Sequence, residues 1–149
     1  SGILLHNRGA VFKAKPGHAN SIAGGKRPMH TIIPAMALKD GKPWLSFGVM
    51  GGHYQACGHG YVLSNIIDYG MDVQGAIDFP RMFFDLDSHA LEAEKLIPPS
   101  TIKGLEDLGH KVVPAASPIG GSQAIMIDRD HGTLIAGSDS RKDGHAAGY

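Results

Sequence analysis

The sequence predicts an α+β fold in a single domain. Two hairpin signals and one strand–glycine–helix junction carry that prediction. Residues 32–38 and 43–49 are strand-like and flank Lys39-Asp40-Gly41-Lys42, where Asp-Gly is a strong two-residue hairpin signal. Residues 123–128 and 133–136 flank a second turn, Arg129-Asp130-His131-Gly132. Between the hairpins, residues 44–68 begin as a strand, break at Gly51-Gly52 and continue at helical spacing. The 149 residues suffice for one domain with a core.

In chain order, residues 1–5 are a short apolar run, read as a strand or extended edge. Residues 6–27 are loop-like, because Gly9, Pro16, Gly17, Asn20, Gly24 and Gly25 leave little room for regular structure. A loop of that length is uncommon in a compact domain unless it serves function or packs on a partner. Pro34 places the first strand's start at an edge or bulge. After Gly52, the residues Tyr54, Cys57, Tyr61, Val62, Ile66 and Ile67 recur at helical spacing. Gly58 and Gly60 weaken a helix, so they mark close packing. Gly70 closes this helix, and Asp72 caps a second one that runs through Ile77 and stops before Pro80. Phe83-Phe84 and residues 91–94 are short strands. Residues 98–108 are helical, with Ser100 as cap, Ile102, Leu105 and Leu108 on one face, and Gly109 as the stop. A strand at 111–113 and a turn-rich loop at 114–121 precede the second hairpin, and residues 138–149 form a polar, extended tail.

Hydrophobic residues make up 42% and charged residues 19%, the balance of a globular chain. Lys plus Arg equals Asp plus Glu at 14 each, without a basic run, which argues against a nucleic-acid partner. No apolar run is long enough to span a bilayer, and the first residues lack the pattern of a signal peptide. Cys57 is the single cysteine, so no internal disulfide forms and the compartment, cytoplasmic or periplasmic of a bacterium, stays undecided. No cofactor is called for.

The junction at Gly51-Gly52 is the leading chemical candidate. Glycines let backbone N–H groups approach a bound oxygen, and a helix start adds partial positive charge there. The pattern suits an oxyanion hole or an anion site, and equally a plain tight turn before a helix. No Gly-Lys-Ser/Thr follows, so it is not a P-loop. His53 and His59 stand six apart rather than four, and no carboxylate or cysteine completes a metal set. His30 and Thr31, beside Arg27, could hold a carboxylate or simply belong to a solvated loop. Cys57 reads as a core residue rather than a nucleophile. Ser1 could act as an N-terminal nucleophile, or be the middle of a strand. Asp139 and Arg141 read as a structural ion pair.

Five stretches taken in order resemble the γ-glutamyltranspeptidases and their relatives among the N-terminal-nucleophile hydrolases. They are SGILLHN at 1–7, KRPMHTIIPAMALKDGKPWLSFGVMGG at 26–52, NIIDYGMDVQGAIDFPR at 65–81, GGSQAIMID at 120–128 and GSDSRKDGHAAGY at 137–149. The resemblance is to the C-terminal part of the family's small subunit. It implies a self-cleaving precursor, a nucleophilic N-terminal Thr that lies upstream of this chain, and a four-layer αββα sandwich. The implied partners are the rest of that precursor, namely the large subunit and the N-terminal part of the small subunit, and a small-molecule amide donor such as a γ-glutamyl compound.

By the same resemblance, Gly51 and Gly52 match the glycine pair of the oxyanion hole. His30 and Thr31 stand where a serine pair helps bind the donor's α-carboxylate. The acidic residue that would hold the donor's α-amino group is replaced near Ala10-Val11, with Arg8 close by. Val49, Met50 and His53 surround the glycines where transpeptidases have Ser, Pro and Ser, which puts Met50 at the donor site. The expected function is a γ-glutamyltranspeptidase-like amide hydrolase or acyltransferase working through an acyl-enzyme. The alternatives are an amidohydrolase whose donor is anionic but not γ-glutamyl, and a non-catalytic structural fragment.

Overall fold

A computed structural model describes residues 2–149, in two compact units that meet at Ile32/Ile33. The possible roles of Ser1 lie outside the described residues.

The first unit is held by local polar contacts. A 3-10 helix at Arg8–Val11 interrupts the predicted loop and buries none of its residues. Lys13 bridges Ser21 in parallel, Asn20 Nδ2 donates to Val11 O at 2.7 Å, and Lys26 Nζ donates to Ala19 O and Ser21 O. The predicted strand at the start is not formed among residues 2–5, and Ile3, Leu4 and Leu5 are 71%, 99% and 88% exposed. An apolar run becomes a strand only with a neighbour to receive its backbone bonds, and residues 2–5 pair with none of the described strands.

The second unit opens with the predicted hairpin, β1 (Pro34–Lys39) and β2 (Lys42–Met50). Asp40 and Gly41 both adopt positive φ, 52° and 72°, as a two-residue type I′ turn requires. The strands β6 (Gly121–Asp128) and β7 (Thr133–Ser138) form the second hairpin and add to β2, giving an antiparallel sheet in the order β1-β2-β6-β7. The helices α1 (Tyr54–Ile67) and α2 (Val73–Asp78) pack on one face of it. Asp72 caps α2 as predicted, its Oδ1 accepting from Gly75 N at 2.7 Å.

Register fixes what each sheet face carries. Leu45, Phe47 and Val49 point to the helices together with Ser122 and Ala124, and join Tyr54, Val62, Ile66, Val73, Ala76, Ile77 and Ile119 in the core. The opposite face carries the row Met36, Ser46, Ile125 and Ala136, with Leu134 beside it. Met36, Ile125 and Leu134 on that face are 55%, 45% and 69% exposed.

A second, three-stranded sheet has the order β3 (Met82–Asp85), β4 (Ala90–Ala93), β5 (Val112–Pro114), with α3 (Pro99–Asp107) as the crossover between the parallel pair β4 and β5. Pro98, not Ser100, occupies the N-cap of α3, followed by proline at the first helical position. A proline there loses no intrahelical bond and starts the helix earlier than a serine cap would. Ile102 and Leu105 are half-buried, whereas Leu108 is exposed. No helix of the described residues is long and apolar enough to cross a membrane.

Candidate functional site

Strand β2 is pinned through Leu45, Phe47 and Val49 and delivers the chain to Gly51. There it turns within two residues and enters α1. Gly51 and Gly52 have φ of +137° and +59°, backbone conformations that side chains with a Cβ rarely adopt. A Cβ on Gly51 would stand 2.8 Å from Gly120 Cα, whereas one on Gly52 would meet nothing within 4 Å. Their carbonyls accept from Tyr54 N at 3.1 Å and Gln55 N at 3.3 Å, closing the first turn of the helix.

Both glycines are exposed, and their N–H groups take no acceptor among the described residues. The N-cap, His53, already has helical dihedrals, makes no side-chain capping bond, and no acidic residue follows in the first turn. A helix start in this state presents unsatisfied N–H donors and partial positive charge to whatever lies in front of it. Two adjacent amides on a rigid corner are the equipment for holding an oxygen that gains negative charge.

Of the other predicted site residues, Met50 ends β2 beside this corner, with its side chain 55% exposed. Arg8, at the start of the 3-10 helix, and His30 and Thr31, in the non-helical segment that ends the unit, belong to the first unit. His30 is exposed and Thr31 half-buried. His59 has its ring nitrogens 2.6 Å from Gln55 O and 2.9 Å from Ile33 O, and its ring lies against Phe47. It packs α1 onto the first hairpin.

Cys57 is not a core residue, because it is exposed. The buried stripe of α1 runs through Tyr54, Gly58, Val62, Asn65 and Ile66, so a glycine and an asparagine occupy places the apolar pattern assigned to Cys57 and Ile67. Gly58 meets the predicted close packing. A Cβ there would fall 2.6 Å from Val49 Cγ1 and 2.7 Å from Tyr54 Cε1.

Sequence reasoning missed a buried charge network behind the corner. Arg81 and Asp139 are both buried and joined at 2.7 Å between Nη2 and Oδ2. Arg81 also donates to Ile119 O at 2.8 Å and Ile77 O at 2.9 Å, and Asp139 Oδ2 accepts from Ser122 N at 2.7 Å. Arg141 does pair with Asp139, at 3.2 Å, but its main partner is Glu94, reached by Nε at 2.7 Å and Nη2 at 2.5 Å. Glu94 completes the circuit by accepting from Ile119 N at 3.0 Å and Arg81 N at 2.9 Å.

Partial burial works to raise the Glu94 pKa, but hydrogen bonds from Arg141, Ile119 and Arg81 outweigh it and hold the carboxyl below its ordinary value. Burial pushes the Tyr54 phenol up to about 12, against the opposing pull of Arg81. Asp139 and Arg141 stand two apart and read as an ion pair in sequence, but Arg81 and Glu94 are remote from them, and only its place in the family-like stretch 65–81 marks Arg81.

The gamma-glutamyltranspeptidase family model matches residues 1–149. The chain belongs to that family. It is 36% identical to the glutathione hydrolase-like YwrD proenzyme of Bacillus subtilis over 99% of its own length and 29% of the relative's. It is 35% identical to the oxamate amidohydrolase proenzyme of Klebsiella pneumoniae over 100% of its own length and 29% of that protein. Among solved structures, a mutant γ-glutamyltranspeptidase of Helicobacter pylori superposes with a TM-score of 0.81 at 29% identity, covering 95% of this chain and 83% of the compared chain. The γ-glutamyltranspeptidase fold of helices layered on sheets is therefore the fold of this chain, and the match lies in the C-terminal parts of the relatives. The chain spans less than a third of the curated relatives' length.

Proposed function

We propose that residues 1–149 are the C-terminal portion of a γ-glutamyltranspeptidase-like small subunit and supply the oxyanion hole of an amide hydrolase or acyltransferase. The observation that carries this reading is the Gly51-Gly52 corner, with two N–H groups that take no acceptor among the described residues at the start of α1. The nucleophile is a threonine on an upstream segment. Its Oγ attacks the amide carbon, and its own α-amine takes the proton and passes it to the leaving amine. The carbonyl oxygen, negative in the tetrahedral intermediate, is held by Gly51 and Gly52. The acyl-enzyme is then released to water or to an amine acceptor. Family membership and the proenzyme relatives support this reading.

Gly52→Ala in the complete protein tests it. The added methyl has room, so the fold survives, but it strains the φ of +59° and crowds the oxygen's position. Alanine keeps the N–H but misplaces it, which should lower kcat about 10²-fold. A folded variant with undiminished kcat would end the proposal.

A second reading concerns the donor. Arg8 lies in the segment that by resemblance would face a γ-glutamyl ammonium, where a cation repels rather than binds it. His30 and Thr31 keep donors suited to a carboxylate. An anionic donor without the γ-glutamyl amino group fits this set better, and the kinship with oxamate amidohydrolase supports it. Assay of the complete, processed protein on γ-glutamyl-p-nitroanilide and on oxamate separates the two readings. Efficient turnover of the γ-glutamyl compound overturns the second.

A further inference from the structure

Gly120 packs against the glycine corner, and the residue before it, Ile119, is bonded to the charge network. The φ of Gly120 is +65°, and a Cβ on it would stand 2.6 Å from Tyr54 Cδ1 and 2.7 Å from Met50 O. Gly51, in turn, is so close that its own Cβ would meet Gly120 Cα at 2.8 Å. Gly51, Gly120 and the first residue of α1 therefore form a three-way contact with no space for a methyl group. Interiors packed at this density move little and transmit displacement rather than absorbing it.

The residues on each side of the Gly120-Gly121 pair are anchored. Ile119 donates its N–H to Glu94 Oε1 and its carbonyl accepts from Arg81 Nη1, so both of its backbone polar groups end on charged side chains. Ser122 gives its N–H to Asp139 Oδ2 and its Oγ to Gly48 O on β2. The Arg81 guanidinium also lies 5.8 Å from the centre of the Tyr54 ring. The network thus clamps the loop that packs against Gly51, while the Gly51 and Gly52 N–H groups take no acceptor among the described residues. Neither Ile119 nor Ser122, which flank the Gly120-Gly121 pair, can shift without breaking a charge-assisted bond, and such bonds are the strong ones.

We infer that Gly120 is a positioning residue for the Gly51 N–H, set in place by the Arg81–Asp139 and Glu94–Arg141 pairs. This rests on the reading of Gly51 and Gly52 as an oxyanion hole. A displaced donor weakens the transition state more than the bound substrate, because the negative oxygen exists only in the former. The effect therefore falls on kcat and not on KM; loss of folded protein would lower the apparent kcat in the same way, so the separation is read per titrated active site.

The test uses the complete protein, with rates per titrated active site. Gly120→Ala should lower kcat about 10²-fold, the scale of an ångström of misplacement, with KM within about twofold. Gly132→Ala is the control for backbone strain, having φ +66° and nothing within 4 Å of an added Cβ, and should keep the parent kcat. Gly121→Ala is the control for the loop, since its methyl meets only the flexible side chain of Lys142. If Gly120→Ala yields no folded protein, Glu94→Gln takes its place. It removes acceptor capacity beneath Ile119 and should lower kcat about 10-fold at unchanged KM, a partial misplacement. Parent-like kcat in folded Gly120→Ala, or in Glu94→Gln when that variant stands in, overturns the inference. If Gly52→Ala is strongly impaired at the same time, only the positioning role fails. If Gly52→Ala is also unimpaired, the oxyanion reading falls with it.

Discussion

The two faces of the β1-β2-β6-β7 sheet carry similar side chains and meet opposite fates. On one, Leu45, Phe47 and Val49 are covered by α1 and α2 and are at most 8% exposed. On the other, Met36, Ile125 and Leu134 stand open at 45–69%. An antiparallel sheet that served water on its second face would alternate apolar with polar residues. This one is apolar on both, which is the character of an inner layer. In an αββα sandwich the helices cover one face and a second sheet the other, so the open face is where the remainder of the protein would seat. The difference between the faces is thus the difference between a contact made within the chain and a face left open among the described residues.

The largest test of this contrast substitutes one residue from each face in the complete protein. Leu45→Ala removes a fully buried side chain and should cost about 2–5 kcal/mol in urea or thermal unfolding. If a second layer covers the other face, Ile125→Ala should also cost about 2 kcal/mol or more, as a core isoleucine does. A change within about 0.5 kcal/mol, the ordinary range of a surface substitution, would mean that the face is bare in the whole protein too.

An intermediate effect is expected on association of the 149-residue chain by itself. The strands β1 and β7 end the sheet with unpaired edges beside the apolar face. Open edges and apolar patches recruit other chains. The isolated chain should therefore self-associate at micromolar concentration, and Met36→Lys with Leu134→Lys should shift its sedimentation toward monomer. A monomeric parent chain that melts cooperatively would contradict the half-sandwich description.

What could be read in advance follows the same division between local and remote causes. The hairpin at Asp40-Gly41, the cap at Asp72 and the strand–glycine–helix junction were legible because each depends on residues within a few positions of one another. The exposure of Cys57 was not, because the buried stripe of α1 is decided by what Gly58 and Asn65 touch, not by their polarity. For residues 2–5 the choice between a strand and an unpaired extended segment was not legible, because an apolar run contains no information on whether a neighbour is present. Of the network only the Asp139–Arg141 pair was legible, and the parts contributed by Arg81 and Glu94 were hidden for a stronger reason. The network's partners come from three separate parts of the chain, and ordinary charges show no sign in sequence that folding will bury them together. The corner was legible, but its support was not.

That support yields the smallest and most specific expectation, which separates the helix side from the open side by pH. The open face is apolar and has no titrating group in its row of Met36, Ser46, Ile125 and Ala136. The helix side rests on Glu94, whose folded pKa lies below its ordinary 4.5 because hydrogen bonds from Arg141, Ile119 and Arg81 outweigh the desolvation that acts to raise it. A depressed carboxyl contributes stability that is complete above the unfolded pKa and disappears as pH falls through the folded one. Thermal melts of the complete protein should therefore lose roughly a few degrees of Tm to this group as pH drops below 4.5. Glu94→Gln, which cannot titrate, should start from a lower Tm at neutral pH and show a shallower decline in acid. Parallel acid limbs for parent and variant would show that Glu94 does not hold the loop under Gly51, because a carboxylate carrying that load must release it when protonated.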